Sequence, residues 1–252
     1  MTLPKATVPW LGSWTYERLA LSFLIFLTYS LYVPLTNYTR RLVPVDMSTR
    51  VDELIPLDPQ WIVVYAMIYF IAVIPLFVVW DPRLFRRVFL AFLTLEITSF
   101  MLFILVPVHM NLRPSISEVI GDDFFSWGTR LCYVIDHPTC CFPSLHVGVS
   151  ILAALCCWKV DRVVGRYTLL IAGLISLSTL MIKQHFLADV LLGGVLAMAC
   201  YRVFIVPVTP VPLKNIESSQ SLQRVGILGV VATYLVVMIA LFIVYLYGWE
   251  PT

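Results

Sequence analysis

Long apolar runs separated by short polar segments dominate the chain. They cover Leu19–Leu35, Trp61–Trp80, Val88–Val108, Pro143–Trp158, Tyr167–Ile182, Phe186–Val208 and Val225–Gly248. At 1.5 Å per helical residue, about 20 residues cross a ~30 Å hydrocarbon core. The second and seventh runs carry no charge. The fourth and fifth are short, but Lys159 and Arg166 flank them and can carry their charges to the interface on long apolar stems. The pattern predicts an all-α polytopic membrane bundle: a six-helix core with a seventh, C-terminal transmembrane helix over 225–248. The proline-rich polar stretch "PVTPVPLKNIESSQSLQR" predicts a linker over 209–224. The first run lacks a small-x-small cleavage site and is expected to be a retained helix. With no internal repeat, residues 1–252 are expected to form one integral-membrane domain.

Composition strengthens the membrane assignment. The chain is 60% hydrophobic and 13% charged, with a mean hydropathy of +0.89; a soluble domain is about a quarter charged. Its net charge of +2 gives no basis for nucleic-acid binding. With seven crossings, one side collects Lys5, Arg18, Arg83, Arg86, Arg87, Lys159, Arg162, Arg166, Arg202, Lys214 and Arg224. The other collects Arg40, Arg41, Arg50, Arg113, Arg130 and Lys183, a division of 11 to 6. The positive-inside rule makes the richer side cytoplasmic. All four histidines (His109, His137, His146 and His185) then fall on the non-cytoplasmic side, as a polar site at one membrane face would require.

The six cysteines show no metal-type CxxC spacing. Cys156, Cys157 and Cys200 sit in apolar runs, as packing residues do. Cys132, Cys140 and Cys141 share one loop, where a disulfide from Cys132 to either of the other two is open in an oxidising compartment.

Candidate chemistry begins in "KQHFLADV". His185 and Asp189 are four apart and share a helix face. A carboxylate there can hold one ring nitrogen of His185 and leave the other as a base or nucleophile; a structural His–Asp pair is the plain alternative. In "FPSLHV", Pro143 suits the first turn of a helix, and Ser144 with helix-start N–H groups suits an anion. The chain then crosses, turns at "KVDRVVGR" and returns, so a helical hairpin brings His146 to the membrane face that carries His185. Arg113 in "NLRPSI" supplies a planar fork suited to two phosphate oxygens.

The order RP…PSxH…HxxxD resembles the type 2 phosphatidic acid phosphatase and vanadium haloperoxidase superfamily over roughly residues 60 to 205. "FPSLHV" with "STLMIKQHFLADV" is similar to the branch related to inositol phosphorylceramide synthases. Val106 stands where the superfamily has a lysine, and Thr179 where it has an arginine; Lys183 offers a replacement charge. The resemblance implies a lipid phosphate substrate and catalysis without cofactor or metal. His185 is the implied nucleophile that forms a phosphohistidine, Asp189 orients it, and His146 is the acid and base. Arg113, Ser144 and Lys183 are the implied phosphate ligands. The primary expectation is a lipid phosphatase, a phosphoric ester hydrolase acting on a phosphomonoester or pyrophosphate. The alternatives are a phosphotransferase that passes the head group to a lipid alcohol, and a transporter that binds an anion or lipid without turnover. A metal site built from the four histidines is disfavoured by the neighbouring Arg113.

Other polar residues have plainer explanations. Glu96, mid-run, is a functional candidate as an intramembrane carboxylate, but a protonated or hydrogen-bonded Glu near Thr94, Thr98 and Ser99 is the favoured expectation. His109 and His137 fit a membrane-surface loop, and Arg130 suits either the cradle or the interface. Gly193 and Gly194 suit close helix packing.

Overall fold

The computed structural model describes residues 13–210 and 216–251. Lys5 and Lys214 of the basic tally, and 211–215 of the expected linker, lie outside that range. The described residues form an all-α bundle in which five helices are long and apolar enough to cross a membrane.

The first apolar run is two helices, α1 (Ser13–Tyr29) and α2 (Tyr32–Thr39). A polar segment follows, carrying α3 (Arg50–Leu54), closed by a capping box between Thr49 and Asp52. The second run, expected as one helix, is broken into α4 (Ile62–Ala66), α5 (Ile68–Ile71) and α6 (Ile74–Val78). Pro75 accounts for the second break, because it lacks an N–H and its ring crowds the carbonyl one turn earlier.

The third run starts earlier than the apolar pattern alone indicates. In α7 (Pro82–Leu105), Asp81 accepts from the Arg83 and Leu84 amides and Pro82 occupies the first turn, a strong helix start. The segment after it contains a helix the hydropathy pattern did not predict, α8 (Phe124–Ile135). Asp123 caps it, and Ser126, Trp127, Thr129 and Tyr133 form its buried face.

α9 (Leu145–Val160) and α10 (Arg162–Met181) form the expected hairpin. Asp161 caps α10 in the turn, accepting from Val163 and Val164. Gly165 lets the two helices meet, since a Cβ there would lie 2.4 Å from the Trp158 Cα. α9 is buried around much of its circumference and is the bundle's central helix.

α11 (Leu187–Cys200) continues into a π turn over Tyr201–Ile205. The last helix, α12 (Ile216–Leu246), begins inside the stretch expected as linker. It is not a detached appendage. The Tyr234 hydroxyl donates to the Val63 carbonyl at 2.8 Å, and Phe242 and Tyr245 pack on Phe124 of α8. Trp127 Nε1 donates to the Trp249 carbonyl at 2.6 Å just beyond α12. The outward faces of α1 and α12 carry exposed Phe, Leu and Val side chains, as lipid-facing surfaces do.

Candidate active site

The starts of α9 and α11 cross almost in backbone contact. The Ser144 N–H donates to the Asp189 carbonyl at 3.0 Å. A Cβ on Gly193 would stand 2.5 Å from the Ser144 carbonyl oxygen, so only glycine permits this approach. Gly194 is less constrained, its added Cβ meeting Ile151 at an ordinary 3.5 Å. This crossing brings together two histidines 39 residues apart, with His146 Nδ1 lying 3.1 Å from His185 Nε2.

The hydrogen-bond network assigns their tautomers. His185 Nδ1 is 3.3 Å from Asp189 Oδ2, an oxygen that also accepts from the Phe186 N–H at 2.9 Å. His185 therefore carries its proton on Nδ1 and directs the Nε2 lone pair at the His146 Nδ1–H. His146 Nε2 meets the Tyr65 hydroxyl at 2.7 Å. Tyr65 also reaches Asp136 Oδ2 at 3.1 Å, and that oxygen lies 3.8 Å from His146 Nε2. A second hydroxyl, from Tyr32, donates to Asp136 Oδ1 at 3.1 Å. The result is a chain of contacts, Asp136–Tyr65–His146–His185–Asp189, with a carboxylate at each end.

The three expected phosphate ligands are placed differently. Arg113 Nη1 donates to the Asp136 carbonyl at 2.7 Å and to Gln184 Oε1 at 3.1 Å, and Nη2 donates to the Tyr133 carbonyl at 2.6 Å. Its guanidinium also stacks 3.7 Å from the Tyr133 ring centroid. Arg113 thus binds the carbonyl end of α8, the negative end of the helix dipole. Ser144 is the N-cap of α9, its hydroxyl accepting from the Val147 N–H at 3.3 Å. Pro143 precedes that cap, outside the first turn where the sequence had suggested it. Lys183 Nζ donates to the Asp52 carbonyl at 2.7 Å. Burial holds the Lys183 ammonium below its usual range, partly opposed by the Asp52 charge.

The "KQH" turn explains the Lys183 placement. Lys183 ends α10 with φ +53°, a left-handed conformation usually given to glycine. The Gln184 and His185 amides both return to the Thr179 carbonyl, at 2.9 and 3.2 Å. Tyr133 donates to the Ile182 carbonyl at 2.7 Å. Asp52 Oδ1 accepts from the Leu187 N–H at 2.7 Å, so α3 caps the start of α11 as well as its own. His185 therefore projects from a turn held by α3 and α8, with the Arg113–Gln184 bond as a third tie.

The remaining residues separate clearly. His109 Nε2 contacts the Thr39 carbonyl and His137 Nε2 contacts Arg40, so the four histidines do not form a cluster. Burial, then the Arg40 and Arg113 charges, lower the His137 pKa. Arg130 donates to the Val119 and Gly121 carbonyls and pairs with Glu250, away from the histidine pair. Glu96 accepts from Thr28 of α1 at 2.7 Å, a partner from another helix instead of the expected neighbours. All six thiols are free. Cys132 accepts from Gln184, and its pKa is raised by burial to about 12, while Cys140 sits against Thr36 and Thr39. Cys141 joins His185 and Asp189 in a buried set whose donor atoms all lie within 4.8 Å, a grouping able to hold a metal ion.

Sequence reasoning missed Tyr65, Asp136, Asp52, Gln184 and Tyr133. The "Gly-Asp-Asp" start before "FFSWGTRLCYVI" was the available signal for α8, and through it for Asp136 at its end.

Comparison with curated proteins and with solved structures returned no match. A family model described as the PAP2 superfamily matches residues 40–203, beginning about 20 residues before the quoted motifs suggested. That interval contains α3 and the broken second span along with all three motifs, and the chain belongs to the PAP2 (type 2 phosphatidic acid phosphatase) superfamily.

Proposed function

We propose that this protein is a lipid phosphatase working through a phosphohistidine at the non-cytoplasmic membrane face. The observation that carries the reading is the 3.1 Å pairing of His146 Nδ1 with His185 Nε2, with Asp189 behind the second ring. His185 Nε2 is the lone pair that this network aims at His146 Nδ1. A substrate phosphorus takes the place of that proton, and the His146 ring turns to the ester oxygen. The N–P bond forms and the P–O ester bond breaks; His146, protonated on both nitrogens with Nε2–H held on the Tyr65 oxygen, passes its Nδ1 proton to the departing alkoxide and is left neutral. Water then gives a proton back to His146 and attacks phosphorus, which releases phosphate and restores His185.

Tyr65 and Asp136 are positioning residues for His146, and Asp189 is one for His185. Arg113, bonded to Gln184 beside His185, and Lys183, two residues before it, are the candidate phosphate cations, and their present bonds to carbonyls have to be exchanged for phosphate oxygens. Ser144 acts through the α9 cap that presents His146. Transfer to a lipid alcohol in place of water uses the same intermediate, and the apolar cavity beside His146 offers a place for the acceptor's chain.

The test gives purified protein in detergent with EDTA a panel of lipid phosphates, with and without alcohol acceptors. Phosphate release is the expected result, with an acid-labile phosphoprotein trapped on rapid quenching. A new head-grouped lipid assigns transfer instead. Turnover that disappears only with EDTA points to a metal on Cys141, His185 and Asp189. No turnover of any lipid phosphate removes both enzyme readings and leaves anion or lipid binding.

A further inference from the structure

A cavity of about 290 Å³ lies between α1, the broken second span, α7 and the start of α9. Ser22 and Ile25 of α1, Ala72, and Phe85, Phe92 and Glu96 of α7 line it, and His146 lines it as well. Its level in the bundle follows from packing. A Cβ on Gly148 would touch Leu95 at 3.2 Å, which puts the start of α9 beside Glu96. From Glu96 to Phe85 is 11 residues, about 16 Å along α7. The cavity is therefore an elongated slot with His146 at one end, running parallel to the helices toward the cytoplasmic end of α7.

Volume and length agree on the occupant. An apolar cavity of about 150 Å³ accepts one six-carbon ring, so a slot of 290 Å³ accommodates about a dozen carbons. Spread over ~16 Å, those carbons form one extended chain, not the two of a double-chain lipid. Polar head groups are excluded by the wall, whose polar members are few and partly engaged, Glu96 by Thr28.

We propose that this slot holds a single hydrocarbon chain of about a dozen carbons, belonging to the lipid whose oxygen is handled by His146. The inference rests on the phosphohistidine reading and adds to it a specificity: the lipid alcohol part binds on the His146 side, and the phosphate lies toward His185. Because the same histidine protonates a leaving alkoxide and deprotonates an attacking alcohol, one slot serves either direction. The His185 side of the site is the packed α9–α11 crossing.

The experiment compares dodecyl phosphate with p-nitrophenyl phosphate at one detergent concentration. Two variants fill the slot from two of its elements, Ala72→Phe from the second span and Ser22→Phe from α1. Gly173→Leu serves as control, because a Cβ there meets nothing within 4 Å. The expected result is a fall of at least tenfold in the dodecyl-to-p-nitrophenyl rate ratio for both slot variants, with the ratio unchanged in the control. An unchanged ratio in both slot variants, with their folding verified by thermal denaturation, overturns the proposal. A dodecyl phosphate carrying a terminal diazirine supplies a readout independent of turnover. Labelling of the Phe85–Phe92 face supports the slot even in a protein that hydrolyses nothing, in which case the catalytic reading alone fails. Labelling confined to the outer faces of α1 and α12 overturns the slot.

Discussion

The two histidines are held by opposite strategies. The His185 ring itself is set by near neighbours, Asp189 one helical turn away, whose carboxylate also takes the Phe186 amide, and a turn folded onto Thr179, while α3 and α8 brace that turn from outside. The His146 ring depends on side chains from other elements. Tyr65 is 81 residues away and Asp136 comes from the end of α8. The surroundings differ in the same way. The His185 side is packed backbone against backbone at Gly193, whereas the His146 side opens onto an apolar slot. A nucleophile has to present one lone pair along one line, which rigid local packing achieves. An acid that serves a leaving group has to share its surroundings with the bulk of the substrate, so its supports are recruited from elsewhere.

The largest expected effect tests the rigid side. His185→Ala removes the proposed nucleophile and is expected to lower turnover by about 10⁴-fold or more while leaving the detergent-solubilised protein folded. Activity within tenfold of the parent would show that the nucleophile lies elsewhere. The recruited side is expected to be more tolerant. Tyr65→Phe keeps the ring that lies 4.9 Å from His146 and removes the hydroxyl that joins it to Asp136. Its expected effect is a drop in kcat of about 10- to 100-fold, below the full 10²–10⁴ of an acid–base group, with KM within twofold. A rise in KM at constant kcat would instead assign Tyr65 to substrate binding.

Gly193→Ala tests the crossing itself. The new methyl would sit against the Ser144 carbonyl, so the expected cost is about 1–3 kcal/mol of stability, read as a lower thermal midpoint, together with reduced activity. Unchanged stability would mean that the helices separate freely and that the 3.1 Å histidine pairing is not imposed by packing. The smallest effect is expected from His109→Ala. Its ring contacts the Thr39 carbonyl and not the histidine pair, so turnover should stay within twofold.

The legibility of the site follows the same division. His185 and Asp189 were readable because helical periodicity makes residues four apart neighbours, and His146 because a membrane hairpin returns the chain to the face it left. Arg113, Ser144 and Lys183 were legible as residues but not as contacts. Each has a donor or acceptor that a nearby backbone group satisfies: the α8 carbonyls, the Val147 amide and the Asp52 carbonyl. The α8 helix escaped because hydropathy registers crossings, and a 12-residue amphipathic helix lying outside them has no comparable signal. The break in the second span was visible as Pro75, yet its uninterrupted apolar run reads as one helix.

The sequence by itself determined the solvent, the helical class, and the pairing of a histidine with its carboxylate. Each depends on composition or on spacing within one turn, and lipid leaves a backbone few ways to satisfy its hydrogen bonds. Only the tertiary structure decided that Tyr65 and Asp136 stand behind His146, that α3 caps α11, and that an apolar slot ends at the acid. The Tyr65 and Asp52 contacts reach across 81 and 135 residues, and the helix starts that carry His146 and His185 meet closely because residue 193 is glycine.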